Sequence, residues 1–193
     1  MHSHDEELLE PAARFFRFKK GLENIPKNKP VIIADLGCGP KVRFYHFAKK
    51  HGAKLKEYIG IDPLIQEFPD TKDLKIIKSP LKKKILLPSN SVDFVVGFAF
   101  LEHIDYPADM ISESLRILKK NGKVIFTTPT FRAQKLLEFL AFKLGIISKR
   151  EILEHRQYFN AQKLYDLVKD HDKNKINHSY FELGLNNLLI ITK

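Results

Sequence analysis

A chain of 193 residues with 44% hydrophobic content is long enough for one compact domain with a buried core, and leaves little room for a second of comparable size. A single cysteine, Cys38, excludes an internal disulfide and a cysteine-rich zinc site, in keeping with a reducing, cytoplasmic setting. The formal charge of +10 suits an anionic partner such as nucleic acid, but equally a solvated lysine-rich surface, because only Lys82, Lys83 and Lys84 are locally dense.

No apolar run approaches the ~20 residues that cross a bilayer, and the N-terminus is acidic and polar, so neither a transmembrane segment nor a secretion signal is expected. In chain order, residues 6–19 carry an aromatic and leucine-rich helical face, and residues 1–28 are expected to form a helical lid, with ordinary core packing as the alternative. The β-branched run at 31–36 predicts a buried strand. Phe44, Phe47 and Ala48 give the next helix a buried face, closed at His51-Gly52. Further strands are predicted at 58–61, 74–77, 92–98 and 123–128, alternating with helical segments, which is the pattern of βαβ units and a parallel sheet.

Pro107 suits a first helical turn, Met110, Ile111, Ser114, Leu115 and Leu118 supply an apolar stripe, and Gly122 is read as the end of that helix. Residues 131–144 are a second candidate lid helix, and Asn160 is an N-cap for a later one. The runs at 176–183 and 188–192 are joined by a short Gly/Asn connection, which favours an antiparallel hairpin. The expected fold is one α/β domain over 1–193, a three-layer αβα sandwich with a mostly parallel sheet ending in that hairpin.

The segment Asp35-Leu36-Gly37-Cys38-Gly39-Pro40 follows a buried strand and precedes a helix, where glycines let a ligand approach the backbone. Asp62 ends the next strand, where a carboxylate can accept both hydroxyls of a ribose. A dinucleotide fingerprint would need a third glycine, yet position 42 is Val42; an acidic Asp35 also suits an ammonium better than a pyrophosphate. Both features favour an adenosyl ligand without phosphates.

Five ordered signatures between about residues 30 and 130 carry a family resemblance: 35–40, Gly60-Ile61-Asp62, 87–93, Leu101-Glu102-His103-Ile104 and 115–122. Together they resemble the class I, Rossmann-like, S-adenosylmethionine-dependent methyltransferases, in their small-molecule, ubiquinone-biosynthesis-like (type 11) branch. The resemblance implies a seven-stranded sheet and S-adenosylmethionine as cofactor. It places Asp35, Gly37, Cys38 and Gly39 at the methionine end, Asp62 on the ribose, Pro63 or Leu64 on one adenine face, and Phe98 beside the methionine pocket, with the rest of adenine recognition falling to backbone, to Leu81 packing or to another residue. Many relatives carry an acidic residue for the adenine amino group where this chain has Leu81-Lys82-Lys83-Lys84, and a lysine cannot accept that hydrogen bond. Lys41 stands in place of the relatives' third glycine.

Methyl transfer from a sulfonium asks the protein mainly to align the acceptor and remove its proton. His103, just after the fourth strand, is the candidate base, with a pocket-closing hydrogen bond as the alternative. The resemblance also places His155, with Arg156 and Tyr158, at the border of the acceptor pocket, in a helical insertion over 130–158; surface polar groups are the alternative there. The Gly97-to-Glu102 run lacks the Asn/Asp-Pro-Pro-Tyr pattern of enzymes methylating exocyclic amino groups, and the only cysteine lies in the cofactor turn, which excludes cytosine C5 chemistry. The expected activity is methyl transfer to an O, N or C atom of a small-molecule, lipid-linked or sugar acceptor. The alternatives are an RNA or protein methyltransferase using the basic surface, and a non-catalytic S-adenosylmethionine-binding module. No metal is expected, since the histidines show no ligand spacing.

Overall fold

The computed structural model describes residues 10–65, 71–138 and 157–193. Its seven strands are β1 (Val31–Leu36), β2 (Leu55–Ile61), β3 (Leu74–Ile77), β4 (Val92–Phe98), β5 (Leu118–Pro129), β6 (Ile176–Phe181) and β7 (Asn186–Thr192). They form one sheet in the order β3-β2-β1-β4-β5-β7-β6. The first five are parallel to one another, while β7 runs antiparallel between β5 and β6. The described helices are α1 (Glu10–Leu22), α2 (Arg43–Lys50), α3 (Pro107–Ile117), α4 (Phe131–Glu138) and α5 (Ala161–Leu167).

Strand side chains alternate between two apolar layers, so each sheet face needs its own cover. On one face Leu36, Ile59, Val95 and Val124 meet Met110 and Ile111 of α3 and Leu164 of α5. On the other, Ile33, Tyr58 and Val96 meet Phe18 and Leu22 of α1 and Phe44 of α2. This is the expected three-layer arrangement, with the hairpin expected at the C-terminus.

Local signals explain the element ends. Pro107 opens α3, where its missing N–H costs nothing. His51 caps α2 and Gly52 follows at φ 88, a left-handed position that glycine fills without strain. Asn160 caps α5, its side chain accepting from Lys163 N at 2.8 Å.

Two boundaries differ from the sequence expectation. Helix α3 ends at Ile117, and Leu118 is already extended, at φ −66 and ψ 140, opposite Val92. The next aligned pair is Phe94 with Lys123, so residues 119–122 bulge from the ladder, with Asn121 at φ 63. Gly122 is therefore no helix stop: a Cβ there would lie 2.8 Å from the Asp93 carbonyl oxygen, so it serves close backbone approach. In the hairpin, β6 stops at Phe181 because Glu182 and Leu183 take φ 51 and 56, and the connection ends before Asn186, which already pairs in β7.

Candidate active site

In an open α/β sheet, ligands bind beyond the carboxyl ends of the strands where the strand order reverses, here between β1 and β4. Strand β1 runs into Gly37 at φ 71 and Gly39 at φ 69, conformations that a side chain would strain. A Cβ on Gly37 would lie 2.8 Å from the Phe100 ring, whereas one on Gly39 would meet nothing within 4 Å. The turn is thus sealed below by Phe100 and open above Gly39. Val42 closes it, fully buried at φ 44, its N–H donating to Gly39 O at 3.2 Å.

Asp62, at the end of β2, is 8% exposed and binds the turn directly. Its Oδ2 accepts from Gly39 N at 2.9 Å and its Oδ1 from Leu64 N at 2.7 Å. Each carboxylate oxygen has two lone-pair directions, so each can accept one further hydroxyl. Pro63 and Leu64 follow on the surface, and Leu64 is 76% exposed, an uncovered apolar side chain beside that carboxylate.

Asp35 is buried and accepts a hydrogen bond from the Tyr58 hydroxyl. Burial pushes its carboxyl up to about 7; the Tyr58 bond pulls it down and the charge of Asp62 pushes it up again. Burial, then the Asp35 charge, holds the Tyr58 phenol well above its usual value, so Tyr58 remains the donor. Half-buried Cys38 is likewise pushed up by burial and by the charges of Asp35 and Asp62, which keeps it a thiol; its Sγ lies 2.9 Å from where a Cβ on Gly60 would stand.

Beyond β4, Ala99 takes φ 49 while its N–H donates to Thr127 O at 3.0 Å, turning the chain into a 3-10 turn at Leu101–His103. Glu102 is fully buried there and His103 faces solvent. Gln157 braces this turn from outside the sheet, its amide donating to Ile104 O at 2.9 Å. The Gln157 segment is itself held by fully buried Asn187, whose amide donates to Phe159 O at 3.1 Å and Thr128 O at 3.3 Å.

Gly37, Cys38 and Gly39 therefore come together with Asp62, and Asp35 immediately precedes their turn at the end of β1. Phe98 stands in an aromatic cluster with Phe44 at 4.5 Å and Phe18 at 5.0 Å between ring centroids, covered by α1. Leu81 is half-buried at the edge of the core on the α3 face. Tyr158 is buried, its ring 6.4 Å from Phe131. His155 and Arg156 lie outside the described residues, as does most of the 130–158 insertion. Sequence reading missed Tyr58, Gln157 and Asn187; a polar tip on an otherwise apolar strand was the available signal for Tyr58.

The family model described as a methyltransferase domain matches residues 3–176. The chain belongs to that family. It is a class I methyltransferase, an enzyme that uses S-adenosylmethionine as its methyl donor. Among solved structures the fold is similar to the protein described as a methyltransferase in the Haloferax volcanii complex with the Trm112 methyltransferase activator: TM-score 0.68, 13% identity, covering 94% of this chain and 90% of that one. It is also similar to an S-adenosylmethionine-dependent methyltransferase from Mesorhizobium loti: TM-score 0.60, 18% identity, 98% and 99% covered. A third, from Aquifex aeolicus, has TM-score 0.59 and 15% identity, with 91% and 88% covered. No curated protein matches the chain in sequence.

The methyltransferase's turn fits that donor on its own chemistry. Gly39 leaves open space where a Cβ would project, and Asp62 keeps one lone-pair direction on each oxygen for a diol. Asp35, an acid held near neutrality, would be ionised by a cation set beside it. Among the described residues no cluster of His, Cys, Asp or Glu could hold a metal, and no helix is long and apolar enough to cross a membrane.

Proposed function

We propose that this methyltransferase transfers the methyl group to an O, N or C atom of a small-molecule, lipid-linked or sugar acceptor that enters over the 3-10 turn, with His103 receiving the acceptor's proton. The observation that carries the reading is the placement of two features across the strand-order reversal. The open Gly37-to-Gly39 turn with Asp62 lies on one side, and the braced Leu101–His103 turn with a solvent-facing imidazole lies on the other.

Asp62 would hold the ribose, Gly37, Cys38 and Gly39 would lie along the methionine end above Asp35, and Pro63, Leu64 and Leu81 would border adenine. S-adenosylmethionine supplies a carbon already activated by its sulfonium, so the chain's own task is alignment and proton removal. An imidazole changes charge near neutral pH, which suits removal of a hydroxyl or ammonium proton. Gln157, by pinning Ile104, keeps His103 at one position relative to β4.

Calorimetry with S-adenosylhomocysteine tests the donor half. The unaltered chain should bind, and Asp62→Ala should weaken binding about tenfold or more, since two backbone N–H groups and the ribose lose their acceptor. Unchanged affinity would refute the ribose assignment. His103→Ala should keep cofactor affinity and lose methyl transfer in a labelled-methyl screen of hydroxyl and amine acceptors; full transfer activity would remove His103 as base.

A further inference from the structure

Three consecutive lysines, Lys82, Lys83 and Lys84, face solvent on the segment joining β3 to β4. That segment is fixed to α3. Glu113 accepts from Ile85 N at 3.0 Å, and Arg116 donates to Ile85 O at 3.0 Å and to Ser89 Oγ at 3.1 Å. Glu113 is itself held by Arg116 at 2.7 Å, and that bond, chiefly, keeps its carboxyl below the usual range, with Lys84 adding a smaller push. Lys84 therefore lies near a carboxylate already engaged by an arginine.

Lys83 Nζ sits 4.4 Å from the centroid of the Tyr106 ring, which is 48% exposed. Tyr106 lies three residues after His103, immediately before α3. The contact thus brings the lysine segment to the lip of the site, beside the 3-10 turn. A cation resting on a half-open ring gains little at a surface, so it is free to turn toward a better anion, leaving the ring to pack on the rest of a ligand.

We propose that Lys82, Lys83, Lys84 and Tyr106 form an anion subsite at this rim, which takes a phosphate group of the acceptor while Tyr106 packs on the adjoining part of the molecule. Charge complementarity selects the occupant: three ammonium groups concentrated on one braced segment suit the multiple charges of a phosphate or diphosphate better than a single carboxylate. The inference rests on the reading that a small acceptor enters over the 3-10 turn.

The test uses the full chain, saturated with S-adenosylhomocysteine, titrated with inorganic pyrophosphate and followed by amide chemical shifts. Shifts should concentrate at residues 82–84 and 106. Charge removal in K82Q/K83Q/K84Q should weaken pyrophosphate about tenfold while leaving S-adenosylhomocysteine affinity and the melting temperature unchanged. Charge retention in K82R/K83R/K84R should restore binding. Shifts spread evenly over the lysines, or pyrophosphate affinity unaltered in the glutamine variant, would overturn the subsite. So would tight binding of oligouridylates whose affinity grows with length and falls steeply with salt, because that marks a polyanion track. Loss of S-adenosylhomocysteine binding in the unaltered chain would instead strike the donor-site reading, whatever pyrophosphate did.

Discussion

Asp35 is the residue whose chemistry is most exposed to experiment, because its carboxyl is held at about 7 by burial beside Tyr58 and Asp62. In the unfolded chain it titrates near 3.8, so the folded state binds the extra proton between those values. Its contribution is fully present below about pH 4 and is lost as pH rises to about 7, a change of up to roughly 4 kcal/mol. Thermal melts of the free protein should fall across that window, and Asp35→Asn, whose amide oxygen still accepts from Tyr58, should flatten the profile. A donor cation beside Asp35 requires the ionised form, so S-adenosylmethionine affinity should rise with pH through about 7 and lose that dependence in the asparagine variant. Asp35 and Asp62 were legible because carboxylates at two strand ends have few structural uses. Tyr58 was not: its hydroxyl matters only through the register that sets it beside Asp35 across a strand pair, and register is a property of the folded sheet.

At the scale of elements, α1 reaches the site through one glycine. A Cβ on Gly21 would stand 2.4 Å from the Phe98 ring, which fills the space against the helix. Gly21→Ala gains about 1 kcal/mol of helix propensity. It should nevertheless lower the melting temperature, because a ring locked between Phe18 and Phe44 must move, at a cost of roughly 1–3 kcal/mol. A simpler loss is expected at α5, where Asn160→Ala should cost about 1 kcal/mol in chemical denaturation by removing the bond to Lys163 N. The cap at Asn160 and the proline at the start of α3 could be read from the chain because each acts within one turn. The end of α3 could not. Leu118 continues the apolar stripe of the helix, and only its pairing with Val92 assigns it to β5, while Gly122 answers to the distant Asp93 carbonyl.

Across the whole molecule, the alternating order of strands and helices was enough to anticipate the layers and the antiparallel hairpin, since parallel neighbours need crossovers and a short connection does not. The bracing of the 3-10 turn was less legible, because it is assembled from segments distant in sequence: Gln157 on Ile104, and Asn187 on Thr128 and Phe159. The placement of β7 has one more consequence, in time. It follows β6 along the chain yet lies between β6 and β5, so β6 has no partner in the sheet until the later strand has docked. The half of the sheet built from β1, β2 and β4 pairs with no strand downstream of β5. During synthesis, that half can condense while β6 is still a loose ribbon near the ribosome. Pulsed hydrogen exchange during refolding should show amides of β6 gaining protection no earlier than those of β7, and early protection of β6 alone would contradict that order.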